Sequence, residues 1–180
     1  MVAILPALVG VLALTVGDAG VVRAPALRVG GPTAPIAPCS SVQRRQFDFW
    51  LGEWEVTEAG KVAGHNRITR ILGGCALREE WTGAGGTNGT SLNVYDEATR
   101  RWHQTWVDDK GSVLLLEGGL SGGQMVLEGE RPVADGRTAR QRIRWTPLSG
   151  GRVRQLWESS GDSGKTWETA FDGTYSPKKR

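Results

Sequence analysis

From Glu53 to Tyr175 apolar and polar side chains alternate with a period of two, in short stretches separated by clusters of Gly, Asp and Ser. This pattern predicts β-strands with one buried face over residues 53–58, 64–72, 76–82, 90–95, 101–107, 112–120, 124–130, 138–146, 152–159 and 166–175. The connectors are short and turn-forming: Leu72-Gly73-Gly74, Asp108-Asp109-Lys110-Gly111, Ser121-Gly122-Gly123, Asp135-Gly136 and Ser149-Gly150-Gly151. Strands joined by such loops run antiparallel, and a meander of about ten strands curls until its edges meet. Closure removes the exposed edges, so the predicted fold is all-β, a single antiparallel up-and-down β-barrel. The period breaks just before the first strand, where residues 43–51 predict a short helical turn carrying Phe47, Phe49 and Trp50.

The first strand opens on Gly52-Glu53-Trp54. Gly52 permits a close backbone approach and Trp54 supplies a large apolar plate, so both are assigned structural roles. Together they mark a floor at one end of the barrel, with Phe47, Phe49 and Trp50 as a lid from the preceding turn.

Ahead of the barrel, residues 2–16 form an apolar run broken by Pro6, Gly10 and Thr15. It is short for a bilayer span and has the length of a signal-peptide core, so residues 1–24 are assigned as a signal peptide. Cleavage is expected after Ala24 in Val22-Arg23-Ala24, with Gly17-Asp18-Ala19 as the alternative site. No Lys or Arg precedes the run, which keeps an uncleaved N-terminal anchor open. Residues 25–42, rich in Pro and Ala, form a linker; 43–176 are the barrel domain and 177–180 a basic tail.

Cys39 and Cys75 are the two cysteines of the 180-residue chain. Pro38 and the distance of Cys39 from the apolar run argue against lipid attachment, and two thiols in an exported chain favour a disulfide. A Cys39–Cys75 bridge would pin the linker to the barrel wall and contribute about 3 to 4 kcal/mol by chain entropy. Export to the periplasm or the medium follows, with no membrane span once the signal is removed.

The net charge is +3, and the Arg residues are interleaved with Asp and Glu along the strands. A solvated surface accounts for them, and nucleic acid is not an expected partner. The eight tryptophans change the picture more. Period two places Glu79 with Trp81, Gln104 with Trp102 and Trp106, Ile143 with Trp145, and Gln155 with Trp157 on shared faces. An interior lined this way offers aromatic plates with a few amide and carboxylate groups, which suits a small-molecule pocket; a solidly filled core is the competing expectation. The predicted ligand contacts are Glu79, Trp81, Asn93, Gln104, Trp106, Trp145, Gln155 and Trp157, and the predicted partner is a small hydrophobic or amphipathic molecule.

No catalytic residue is assigned and no enzyme activity is expected. The chain has no Gly-x-Ser-x-Gly elbow, no His-Glu-x-x-His and no metal-type cysteine spacing. Glu79 and Glu80 are adjacent strand residues that point to opposite faces, so they cannot work as a paired acid and base. Gly83-Ala84-Gly85-Gly86 lacks the βαβ setting of a phosphate loop and is assigned to a hairpin at a barrel mouth. The two histidines, His65 and His103, are expected on the surface, and no cofactor is predicted. Ser160-Gly161-Asp162-Ser163-Gly164-Lys165-Thr166-Trp167 matches an Asp-box but occurs once. A propeller needs it blade by blade, so here it predicts a stabilised hairpin in which Asp162 bonds turn amides and Trp167 covers the loop.

Phe47-Asp48-Phe49-Trp50-Leu51-Gly52-Glu53-Trp54, Gly64-His65-Asn66-Arg67-Ile68, Gly74-Cys75, Tyr95-Asp96, Trp102-His103-Gln104-Thr105-Trp106-Val107-Asp108 and the Asp-box hairpin together resemble an uncharacterised family of exported bacterial proteins of the domain-of-unknown-function type. Gly52-Glu53-Trp54 is also similar to the Gly-x-Trp of lipocalins and to the opening of nitrobindin-type haem barrels. These resemblances imply a calycin-like barrel with Trp54 near its closed end. The lipocalin likeness implies a small apolar ligand in the cup. The nitrobindin likeness implies a haem or redox barrel held through a late histidine, for which His65 and His103 are the candidates here; no histidine follows His103. An envelope protein-interaction module is the remaining alternative.

Overall fold

The structure, a computed structural model, describes residues 39–133 and 136–178. The chain divides into Met1–Pro35 and Ile36–Arg180. The predicted signal peptide with its cleavage sites and most of the linker lie outside the described residues, as do Lys179 and Arg180 of the tail.

Every stretch of period-two alternation forms a strand: β1 Gly52–Glu58, β2 Lys61–Ile71, β3 Ala76–Gly83, β4 Asn88–Asp96, β5 Arg101–Asp108, β6 Val113–Ser121, β7 Gln124–Pro132, β8 Thr138–Pro147, β9 Val153–Ser160 and β10 Glu168–Pro177. Each pairs antiparallel with its sequence neighbours, and β1 pairs with β10 from Trp54↔Pro177 to Glu58↔Gly173. The sheet is therefore a closed up-and-down barrel, as the alternation predicted. The helical turn ahead of it resolves into two 3-10 turns, Gln43–Arg45 and Asp48–Trp50.

Where strand limits differ from the sequence reading, turn chemistry explains the difference. β2 begins at Lys61 rather than at residue 64, because Ala59 and Gly60 both take positive φ (47° and 77°). That is the two-residue hairpin whose twist matches the strands it joins. β10 begins at Glu168 rather than at 166, because Thr166 gives its N–H and its hydroxyl to the Asp162 carboxylate (2.9 and 2.7 Å). β6 begins at Val113 because Ser112 gives its N–H to Asp108 Oδ1 at 2.9 Å.

The alternating direction of the strands sorts the loops into two sets. Those after β2, β4, β6 and β8 share one end with the N-terminal turns, and that end is filled. Phe47 and Trp50 are fully buried and stacked, with ring centroids 4.8 Å apart. Phe47 also meets Trp145 and Trp102 edge-on, at 5.1 and 5.7 Å. The Trp54 indole donates to the Trp50 carbonyl at 3.0 Å. Phe47 and Trp50 are thus a plug driven into the barrel rather than the lid read from the sequence; Phe49 alone of the three is partly buried. Aromatic pairs of this geometry add about 0.5–1.5 kcal/mol each beyond their burial.

The segment that carries the plug is tied down from outside. Cys39 is bonded to Cys75 in the β2–β3 loop, with Cα atoms 4.9 Å apart. Arg45 donates to the carbonyls of Cys39 and Gly74, Arg44 pairs with Glu97 at 3.1 Å, and Asp48 pairs with Arg70. Gln46 accepts from the Trp102 indole at 3.2 Å. Gln46 and Asp48 flank Phe47, so their bonds fix the backbone on either side of an aromatic that must enter the core.

Candidate binding cavity in the open half of the barrel

At the other end, where the loops after β1, β3, β5, β7 and β9 gather, the barrel is not filled. A cavity of about 280 Å³ lies among Trp81, Trp106, Trp157 and Phe171, with Leu114 and Ile143 contributing apolar wall. The sequence keeps it open by placing inward-facing glycines beside the rings. A Cβ at Gly89 would lie 2.3 Å from Trp106 Cζ2, one at Gly64 2.7 Å from Trp81 Cζ2, and one at Gly173 2.5 Å from Phe171 Cε1. The rings therefore lie along the wall, in space that any larger residue would claim. Phe171 and Trp81 also meet edge-on at 6.2 Å.

Beneath the cavity is a connected polar layer. Asn66 Nδ2 donates to Glu79 Oε1 at 2.7 Å, and the Ser91 hydroxyl to Glu79 Oε2 at 2.6 Å. Asn93 Nδ2 donates to Ser91 Oγ at 2.8 Å, and Gln104 Nε2 to Asn93 Oδ1 at 2.9 Å. On the facing wall, Gln155 Oε1 accepts from the Tyr175 hydroxyl and from the Trp145 indole at 3.1 Å. Trp157 donates to Gln141 Oε1 at 2.8 Å. Such a layer is tolerated inside a barrel because its members largely satisfy one another; Asn66 Oδ1 is the buried side-chain atom of the layer left without a partner among the described residues.

The layer contains one acid. Loss of solvent raises the Glu79 carboxyl to about 6, against the opposing pull of the bonds from Ser91 and Asn66. Burial likewise pushes the Tyr175 hydroxyl well above its ordinary value, with the charge of Glu79 adding to the shift. Glu79 therefore changes its charge near neutrality at the bottom of the cavity.

Two charged residues face the cavity mouth. Asp108 Oδ1 accepts the N–H groups of Ser112 and Lys110 at 2.9 and 3.0 Å, and these bonds hold its carboxyl below the usual range. Arg131, at the end of β7, lines the cavity and forms no hydrogen bond or ion pair among the described residues.

Of the predicted contacts, Glu79, Trp81, Gln104, Trp106, Gln155 and Trp157 line the cavity. Asn93 and Trp145 do not. Asn93 is fully buried beside Gln104, its cross-strand partner, and Trp145 belongs to the aromatic plug, with centroids 5.1 Å from Phe47 and 5.3 Å from Trp50. Period two gave their face correctly, but depth along the barrel axis decides which inward residues meet the cavity. The pocket and the filled core expected as rivals thus occupy different halves of one interior.

Sequence reasoning passed over Arg131, Asp108, Phe171 and Tyr175, all of which line the cavity. The signal was present: Arg131 shares a face with Met125 and Leu127, which are fully buried, and Tyr175 shares one with Gly173 and Phe171. His65 is exposed, and His103 faces outward beside Glu117 (3.8 Å) and Asp96 (4.0 Å). The Asp-box hairpin is held by Asp162, which accepts from Thr166 and from the Ser160 hydroxyl (2.8 Å). The same bonds, Thr166 N–H foremost, lower the Asp162 carboxyl to about 2. Trp167 caps the loop by donating to the Gly164 carbonyl at 3.1 Å, and the Arg142 guanidinium lies 3.9 Å over its ring. No group of three or more His, Cys, Asp or Glu side chains among the described residues is arranged to hold a metal ion.

The chain matches no protein-family profile, and no curated protein compared with it is significantly similar. The closed ten-strand antiparallel barrel is compatible with a calycin-like fold.

Proposed function

We propose that the protein is a non-enzymatic binding barrel that takes a small, partly apolar molecule into its open half. The observation that carries this reading is the division of one interior into a solid aromatic plug and a cavity of about 280 Å³ held open by glycines. That volume lies near the lower edge of the range for small-molecule sites, roughly 300–1,000 Å³. Trp81, Trp106, Trp157 and Phe171 give the wall its aromatic plates, and Gln104 and Gln155 are among the polar groups that can fix a ligand's orientation. Glu79 has one oxygen engaged by Asn66 and the other by Ser91, which suits an orienting role. The Cys39–Cys75 bridge fits an oxidising compartment, and we place the protein in the periplasm or outside the cell. Among the described residues no helix is long and apolar enough to cross a membrane.

Titration with N-phenyl-1-naphthylamine, a neutral probe that brightens in apolar surroundings, tests the reading. Saturable one-to-one binding that quenches tryptophan emission is expected, and a Trp106→Ala, Trp157→Ala double variant should lose it. A folded protein that fails to bind the probe would remove the proposal.

A second reading has its own observation. Leu92, Val107, Val113 and Leu115 are exposed on the outer wall, where β4, β5 and β6 run side by side. Val107, Val113 and Leu115 adjoin one another, with Leu92 across Thr105, and an exposed apolar cluster on a barrel exterior suits a protein-interaction module of the cell envelope. A Val113→Lys, Leu115→Lys variant that loses a co-purifying partner yet keeps probe binding would favour it.

A further inference from the structure

We infer that the ligand is a flat aromatic acid whose ring lies between the indoles of Trp106 and Trp157 and whose acid group rests on Arg131 at the cavity mouth. This inference rests on the binding reading above and names the substrate class.

The first argument is Arg131 itself. It stands on β7 in the inward register of Met125, Leu127 and Gly129, and pairs across the ladder with Ala139, whose small buried side chain leaves the guanidinium room. It is partly buried and lines the cavity, yet makes no hydrogen bond or ion pair among the described residues. Elsewhere on the barrel, arginines that approach carboxylates use them: Arg142 and Arg144 share Glu158 at 3.0 and 2.8 Å, and Arg154 holds Asp172 at 2.7 Å. An unspent guanidinium facing a pocket is a site for an anion, and its planar fork matches an acid group with two oxygens.

The second argument is the order of charge along the cavity. Glu79 lies at the bottom, where its carboxylate repels an anion above its titration range, and Arg131 lies at the mouth. The other charged group of the lining is Asp108, an ionised carboxylate also at the mouth, whose Oδ1 faces the turn amides of Lys110 and Ser112; among the described residues Arg131 is the one cation of the lining and so the one partner it offers an acid group. A ligand therefore enters with its neutral end first and keeps its acid group outermost. The third argument is shape. Trp106 is held along the wall by Gly89, and Trp157 by its bond to Gln141, so the space between them suits a flat ring system. At the inner edge, Gln155 spends its Oε1 on Tyr175 and Trp145, and neither bond uses its Nε2 donor. A hydroxyl or carbonyl on the inner edge of the ligand would accept from it.

Two probes that share one ring frame test the inference: 1-anilinonaphthalene-8-sulfonate, which carries an acid group, and N-phenyl-1-naphthylamine, which does not. The wild-type protein should bind the acid about tenfold more tightly than the neutral probe at low salt, and the difference should shrink as salt is added. Arg131→Gln should erase the difference by weakening the acid alone, and Arg131→Lys should restore part of it. An unchanged far-ultraviolet circular dichroism spectrum and thermal midpoint in both variants report that the barrel is intact. Equal binding of the two probes, or acid binding indifferent to Arg131→Gln, would overturn the inference and leave cavity binding standing. Failure of both probes would instead overturn the binding reading on which it rests.

Discussion

The Trp106 indole lies across Gly89, so close that a methyl group on that glycine would meet Cζ2 at 2.3 Å and the Val107 carbonyl at 2.9 Å. Gly89→Ala should therefore swing the indole into the lumen and fill part of the cavity. Overpacking of this kind costs about 1–3 kcal/mol of folding free energy, and the displaced indole should lower affinity for the neutral probe by roughly tenfold, about 1.4 kcal/mol of binding free energy. Probe titration and the emission maximum of the tryptophans measure it. Undiminished binding would mean that the ring does not define the cavity wall.

Glu79 makes stability depend on pH in an unusual direction. Its carboxyl is raised from 4.5 to about 6 in the folded protein, so between those values the native state holds a proton that the unfolded chain has released. Its contribution is whole below the lower value and is lost as pH rises through the upper one, by about 2 kcal/mol in total. Urea midpoints of the wild type should fall across this window, whereas those of Glu79→Gln should not. Parallel curves for the two proteins would remove Glu79 as the source.

Trp54 is almost completely buried, packs edge-on to Tyr175 at 6.1 Å and donates to the Trp50 carbonyl that anchors the plug. Trp54→Ala should cost about 3–5 kcal/mol of unfolding free energy as a core truncation. Trp81→Ala, at the cavity wall, should act mainly on probe affinity. The two variants separate floor from wall, and a normally stable Trp54→Ala protein would show the floor to be misassigned.

The Cys39–Cys75 bridge spans a sequence separation of 36. Replacing both cysteines by serine should lower stability by about 3–4 kcal/mol through the freed chain entropy of the unfolded state. Because the bridge fixes the segment bearing Phe47 and Trp50, protection from hydrogen exchange should fall first around these residues. Uniform loss across the barrel would argue against local anchoring.

Period two was enough to find ten strands, the interior faces and the closure of the sheet, because each of these repeats locally. What it could not supply was depth. Ile143 and Trp145 obey the same alternation on β8, yet one lines the cavity and the other is sealed in the aromatic plug. Arg131 was overlooked because an arginine near a strand end is usually solvated; its position becomes informative once its lack of a partner is visible. The Ala59-Gly60 hairpin was missed for a related reason, since alanine seldom takes positive φ and so gives no turn signal.

The seam between β1 and β10 sets an order on folding. It joins Trp54 to Pro177, the most distant strand pairing in the chain, whereas every other ladder joins neighbours. Hairpins and the Cys39–Cys75 loop can form early at small entropic cost, but the seam is a contact of high sequence separation and must wait for the last strand. Until then β1 presents an unpaired edge next to a row of aromatic side chains. A chain cut short before Tyr175 would carry that edge permanently, making the C-terminal strand the step that converts an association-prone sheet into a closed vessel.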